Sequence, residues 1–294
     1  MTEAVELTAG ALAATFVPDV AMVCVSLRHR DRELLDPRRG LDAYRAKGAT
    51  MGIPLLHPWA NRLGGWEYEL DGVAVALPRE GGLVRGEEHG LPIHGLLPAA
   101  LPFALLERGE AVVRARLSFA REELLALFPA PHELDYHARL DEAGLHVELT
   151  LRPTGEVAVP ACLGLHPYLA IRGDRGAARI ELPACERLLV DDRLLPTGAH
   201  EPLPAGERPL AEEAWDTPLA GLQAGAGFAL HADGERTAVR FDHGFPYGQV
   251  FAPLAAPVVC FEPMCAPADA LRLGNAPRVA PGAEYRAAFS VLVG

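Results

Sequence analysis

Polar and apolar residues alternate through the middle of the chain. Ala111, Val113, Ala115, Leu117 and Phe119 share one parity, with Arg114, Arg116 and Ser118 on the other. Leu134, Tyr136, Ala138 and Leu140 repeat the pattern against Asp135, His137, Arg139 and Asp141. Beyond the turn at Glu142-Ala143-Gly144, Leu145, Val147, Leu149 and Leu151 alternate with His146, Glu148, Thr150 and Arg152. Successive strand side chains point to opposite faces, so a period of two predicts three antiparallel strands, each with one buried and one wet face. His137 and His146 then belong to the wet face. Asp71-Gly72 and Asp233-Gly234 are two-residue hairpin signals. They join 66–70 to 73–77 and 228–231 to 237–242.

Further strands are expected at 178–182, 187–190, 249–251, 258–261 and 285–293, with two or three more in 1–35 around the turn at Pro18-Asp19. Residues 157–169 read as one more buried strand. Leu195-Pro196-Thr197-Gly198 reads as a turn, and Trp215-Asp216-Thr217-Pro218 sits in an acidic, loop-rich stretch. One or two helical turns fit 121–128, and 44–51 is ambiguous. No segment sustains helical spacing of its apolar residues. Many short strands with Gly/Pro turns predict an all-β fold, a large antiparallel β-sandwich. Without a repeat, a low-complexity linker or a break in composition, residues 1–294 read as a single domain.

Two apolar runs carry an ionisable group followed by proline. In Ala161-Cys162-Leu163-Gly164-Leu165-His166-Pro167-Tyr168-Leu169, the residues Cys162, Gly164, His166 and Tyr168 share a face. Pro167 biases His166 toward extended backbone. Small Gly164 on that face would leave open space above the imidazole. In Val258-Val259-Cys260-Phe261-Glu262-Pro263-Met264, Glu262 ends an apolar strand on the face of Val258 and Cys260. Burial raises a carboxyl pKa, as a general base working near neutral pH requires. An acid and a base at the mouth of one sandwich suit proton transfer.

A proline-broken loop, His57-Pro58-Trp59-Ala60-Asn61-Arg62, delivers Asn61 and Arg62 to the lip of a hairpin. His89 and His94 are five apart with glycine and proline between, which is not a helical metal pair. The five cysteines are scattered without a CxxC pair, so neither a disulfide framework nor a zinc site is indicated. No metal or other cofactor is expected. A net charge of −12 and the lack of a basic cluster point away from nucleic acid. The start of the chain is acidic where a signal peptide is basic, and no uncharged run reaches the ~20 residues of a membrane span. A cytoplasmic protein without membrane partners is expected, as a monomer or homodimer.

The blocks Pro58-Trp59-Ala60-Asn61-Arg62, Ile93-His94-Gly95, Gly164-Leu165-His166-Pro167-Tyr168 and Cys260-Phe261-Glu262-Pro263-Met264, in this order, resemble aldose 1-epimerases, the galactose mutarotase family. The resemblance covers nearly the whole chain. It implies a β-supersandwich with a sugar groove across one sheet and interconversion of the anomers of a free aldohexose. By resemblance His166 is the general acid and Glu262 the general base, flanking one pyranose as imidazolium and carboxylate. Arg62, His94, Asp216 and Gln249 would grip sugar hydroxyls. The family's usual threonine after Glu-Pro-Met is Cys265 here, and its asparagine before the histidine strand is missing from Arg152-Pro153-Thr154-Gly155. Two alternatives are a hexose-6-phosphate epimerase, with a phosphate clamp drawn from Arg85, Arg172 or Arg175, and a non-catalytic sugar-binding protein on the same fold.

Overall fold

A computed structural model describes residues 3–211 and 213–294. The expected antiparallel sandwich is present. One sheet has nine strands, in the order Ala104–Arg108, Val112–Phe119, His132–Asp141, Gly144–Pro153, Tyr285–Val293, Glu235–His243, Ala226–Ala232, Arg179–Leu182 and Gly206–Pro209. The second has eight. It runs Pro196–Leu203, Cys185–Val190, Trp215–Ala220, Tyr247–Ala252, Val258–Met264, Gly164–Leu165 and Leu55–Leu56, with Tyr168–Ala170 also paired to Val258–Met264. A four-stranded sheet, Val5–Ala9, Leu12–Val17, Val23–His29 and Arg32–Glu33, packs against the nine-stranded one.

The alternation read from the middle of the chain sets the register there. Leu117 pairs with Leu134 and Leu134 with Leu151 on the buried face. On the wet face the same register sets Asp135 between Arg116 and Arg152, bonded to both at 2.5 and 2.6 Å. Between the large sheets, Phe228 packs tilted against Phe241 of its own sheet and stacks on Phe261 of the other, with centroids 4.7 and 5.3 Å apart. Full burial of such a ring contributes about 1.5–3 kcal/mol.

The strand Val258–Met264 is buried on both faces. Val259 and Phe261 enter the core between the sheets, while Val258 and Cys260 pack against Tyr168. Glu262 has the second parity and is 2% exposed. The strand runs two residues past Glu262 to Met264, so the carboxylate lies within the sheet and not at the strand's end.

Several local expectations change. Residues 157–169 are not one strand. Val159–Pro160 pairs with Arg278–Val279, Gly164–Leu165 with Leu55–Leu56, and Tyr168–Ala170 with Val258–Met264. Pro160 and Pro167 have no N–H to give a ladder, so the run breaks at each. The turn expected at 195–198 lies one step earlier, where the Asp191 carboxylate accepts the amides of Arg193 and Leu195, and a strand already starts at Pro196. Trp215–Ala220 is a strand and not a loop. The ambiguous 44–51 stretch falls partly in a helix, Gly40–Lys47, which buries Tyr44 alone and ends on Gly48 in left-handed conformation. Gly164 leaves no open space: a Cβ there would sit 2.6 Å from the Pro263 carbonyl oxygen, so glycine is needed for two backbones to approach.

Candidate active site

A cavity of about 600 Å³ opens on the face of the eight-stranded sheet that looks away from the core. Its floor is the sheet, and its walls are the segments 38–50, 61–62 and 85–94. Small-molecule sites occupy roughly 300–1,000 Å³. All six residues singled out above line it: Arg62, His94, His166, Asp216, Gln249 and Glu262.

Strand register explains the floor. Gln249 pairs directly with Glu262 across two neighbouring strands, so the two side chains share a face. Asp216 is on the next strand, opposite Phe251, and accepts from the Gln249 amide. His166 sits in the break between Gly164–Leu165 and Tyr168–Ala170, where its Nε2 is 3.1 Å from Glu262 Oε1.

The walls bring Asn61, Arg62 and His94. Asn61 and His94 both have positive φ, at 56° and 64°, and the Asn61 carbonyl accepts the His94 amide at 2.9 Å. Gly95, next to His94, packs so closely on the segment of His57 that a Cβ would lie 2.1 Å from the His57 carbonyl oxygen. Arg62 is 8% exposed rather than a solvated loop arginine. Its guanidinium donates to Glu87 at 3.3 Å and to the Asn61 side-chain Oδ1 at 3.3 Å, and lies 3.9 Å from Asp216. Asn61 in turn donates to Gln249 at 3.3 Å. Arg62 thus ties the loop wall to the acidic side of the floor.

His166 and Glu262 touch, where the resemblance implied two groups on either side of a sugar. Burial pushes the Glu262 carboxyl well up, helped by the Asp216 charge and opposed by Arg62. Burial pushes the His166 imidazole down, helped by the Arg85 and Arg38 charges. Both directions oppose the expected imidazolium–carboxylate resting state. They favour an uncharged resting pair with one proton held between Oε1 and Nε2. His94, edge-on to His166 at 5.5 Å between centroids, is held neutral by burial and by Arg85.

Of the three arginines considered for a phosphate clamp, Arg85 lines the cavity and Arg172 and Arg175 do not. Arg38 and Arg39 join Arg85 there, both exposed. No spacing in the sequence connects these three, which only the fold assembles. Glu87 was equally unmarked, whereas Asn61 was delivered with Arg62 by the proline-broken loop. Among the described residues, Glu87, Glu88 and His89 at the cavity edge could group cation ligands, but Glu87 already serves Arg62 and the amides of His89 and Leu91.

The architecture recurs in solved structures. The Slr1438 protein from Synechocystis sp. PCC 6803 superposes with a TM-score of 0.81 at 19% identity, over 100% of this chain and 96% of that one. A galactose mutarotase-like protein from Clostridium acetobutylicum gives 0.83 at 16%, over 98% and 94%. A galactose 1-epimerase from Lactobacillus acidophilus NCFM gives 0.76 at 14%, over 98% and 93%. At these identities the likeness is one of fold. A search of curated proteins finds no match. The family model for aldose 1-epimerase matches residues 20–291, so nearly all of the sequence fits it and the chain belongs to the aldose 1-epimerase family.

Proposed function

We propose that this protein interconverts the α and β anomers of an aldose. The observation that carries the reading is the buried contact between His166 and Glu262 in the floor of a cavity lined mostly by hydrogen-bonding groups. Ring opening moves one proton: the C1 hydroxyl loses it, the C1–O5 bond breaks, and the ring oxygen gains one. In the active form Glu262, as carboxylate, takes the C1 hydroxyl proton while His166, as imidazolium, protonates O5. The open-chain aldehyde turns about C1–C2, and closure on the other face returns both protons. The active pair and the uncharged resting pair hold the same number of protons, so sugar binding need only move one across a single hydrogen bond. Arg62, His94, Asp216 and Gln249 hold hydroxyls. Each proton transfer is worth roughly 10²–10⁴-fold. The reaction needs only the sugar, and the cytoplasm, where the five free cysteines stay reduced, suits it.

A narrower reading has its own support. Arg38, Arg39 and Arg85 reach the cavity without a carboxylate within ion-pair distance among the described residues. That side favours a sugar with a phosphate or carboxylate group. Polarimetry on freshly dissolved α-glucose, α-galactose, glucose 6-phosphate and glucuronate tests both readings. Faster mutarotation of any of them supports the reaction, and a kcat/KM at least tenfold higher for the charged sugars selects the narrower reading. No acceleration with any aldose, from protein that binds sugar by calorimetry, would leave a sugar-binding protein.

A further inference from the structure

His166 is held on one side by a residue to which the mechanism gives no part. The Tyr168 ring lies against the imidazole with centroids 4.3 Å apart and planes within 6° of parallel. The two residues are i and i+2 in extended chain, so they share a face, and Pro167 points away. Tyr168 is fixed more firmly than His166. Its amide donates to the Gly52 carbonyl at 2.8 Å, its carbonyl accepts the Asp36 amide at 2.9 Å, and its backbone is in register with Cys260. The phenol oxygen is 2.7 Å from Thr50 Oγ1 and 3.2 Å from His166 Nε2. His166 Nδ1 is buried and makes no well-formed hydrogen bond, with only the residue's own backbone acting on the ring there.

We propose that Tyr168 is a positioning residue, which fixes the plane of the His166 imidazole so that Nε2 faces Glu262, and whose π face favours the proton on that imidazole. With the rings nearly parallel, the phenol oxygen sits off the imidazole plane, whereas the Nε2 lone pair or N–H lies in it. The in-plane direction is left to Glu262 and the sugar. The phenol hydroxyl has its good partner in Thr50. Burial keeps Tyr168 protonated, so it is no acid or base itself. A cation over an aromatic face is attracted by the ring quadrupole, more strongly where water is excluded. The same ring carries the Arg38 guanidinium at 5.5 Å. Tyr168 thus contacts both an exposed cation and a buried group that must become one.

Several charges bear on this proton. Glu262 touches it, Arg85 and Arg38 oppose it, and His94 lies edge-on. Asp216, Arg62 and Tyr168 act on it through Glu262 or the stack. Tyr168 opposes the burial that favours the uncharged pair.

The test compares Tyr168→Phe, which keeps the ring and loses the Thr50 bond, with Tyr168→Leu, which loses the ring. It rests on the epimerase reading for its kinetic arm. Tyr168→Phe should keep kcat within about threefold and the pH profile in place. Tyr168→Leu should lower kcat about tenfold with KM within about threefold, and shift the alkaline limb down by about one pH unit. His166 imidazole resonances, followed by NMR against pH without sugar, should show the same downward shift in Tyr168→Leu alone. A tenfold loss in Tyr168→Phe, which will fold, would assign the effect to the hydroxyl and overturn the proposal. So would a Tyr168→Leu protein with the wild-type profile, or one that changes KM only. Because the NMR titration needs no turnover, a protein inactive on every sugar would sink the epimerase reading and still test the stack.

Discussion

Burial disfavours charge on both Glu262 and His166, and this shapes what each substitution does. Glu262→Gln keeps volume and removes a carboxyl that burial already disfavours in its charged form, so the fold should survive. A glutamine cannot take the C1 proton, and kcat should fall by roughly two to four orders of magnitude, with sugar affinity by calorimetry little changed. A mutant of near wild-type rate would remove Glu262 from the mechanism. The wild-type pH–rate profile should be bell-shaped. Its acid limb reports the second proton taken up by the pair, its alkaline limb loss of the shared one. Arg62 lies outside the proton path. Arg62→Ala should raise KM more than it lowers kcat, because binding common to ground and transition states is lost. Unchanged KM with a much lower kcat would contradict that role.

At the scale of elements, the wall loops depend on close backbone contacts. Gly95 has φ of 72° and no room for a Cβ beside the His57 carbonyl. Gly95→Ala should cost roughly 1–3 kcal/mol and displace His94 and Arg62, so chemical denaturation and KM should both change. A protein of unchanged midpoint and KM would show that the loop has slack. Legibility in the sequence followed the solvent. Strands Val112–Phe119, His132–Asp141 and Gly144–Pro153 each have a wet face, so their alternation marks them. Val258–Met264, buried on both faces, has none, and only its apolar run and the odd glutamate stood out. The helix Gly40–Lys47 buries one residue and left no periodic trace. His166 and Glu262 were readable as ionisable residues in apolar runs, whereas the roles of Arg62, His94, Asp216 and Gln249 rested on the resemblance. The link of Thr50 to Tyr168 was not, since the partners are 118 residues apart and each is ordinary in its own surroundings.

At the scale of the whole molecule, one polar bridge joins the two large sheets. His57, beside Leu55–Leu56, and His132, first residue of His132–Asp141, meet Nε2 to Nε2 at 2.8 Å between Phe119 and Phe128. His132 Nδ1 gives its proton to the Ala130 carbonyl at 2.6 Å, so its Nε2 accepts and His57 donates. Both histidines are held neutral by burial, His132 with its pKa lowered to about 4. The unfolded chain, with ordinary histidines, binds more protons below about pH 6.5. Stability is therefore complete above that pH and falls as the pH drops toward 4, by about 2 kcal/mol at pH 5 for His132 alone. Thermal melts at pH 7.5 and 5 check this, and His132→Phe should flatten the difference; equal melting temperatures in the wild type would refute it. EDTA should leave activity intact, because the one possible cluster of cation ligands among the described residues spends Glu87 on Arg62 and two amides. Lost activity restored by one metal would show otherwise.

The cavity takes its walls from residues 38–94 and its floor from residues 166–262, and the stretch between them carries four strands of the nine-stranded sheet. During synthesis, therefore, no site exists until the strand carrying Glu262 has left the ribosome and closed against walls made long before. Cut in the middle stretch, the protein would become two silent halves whose recovered turnover measures only their reunion.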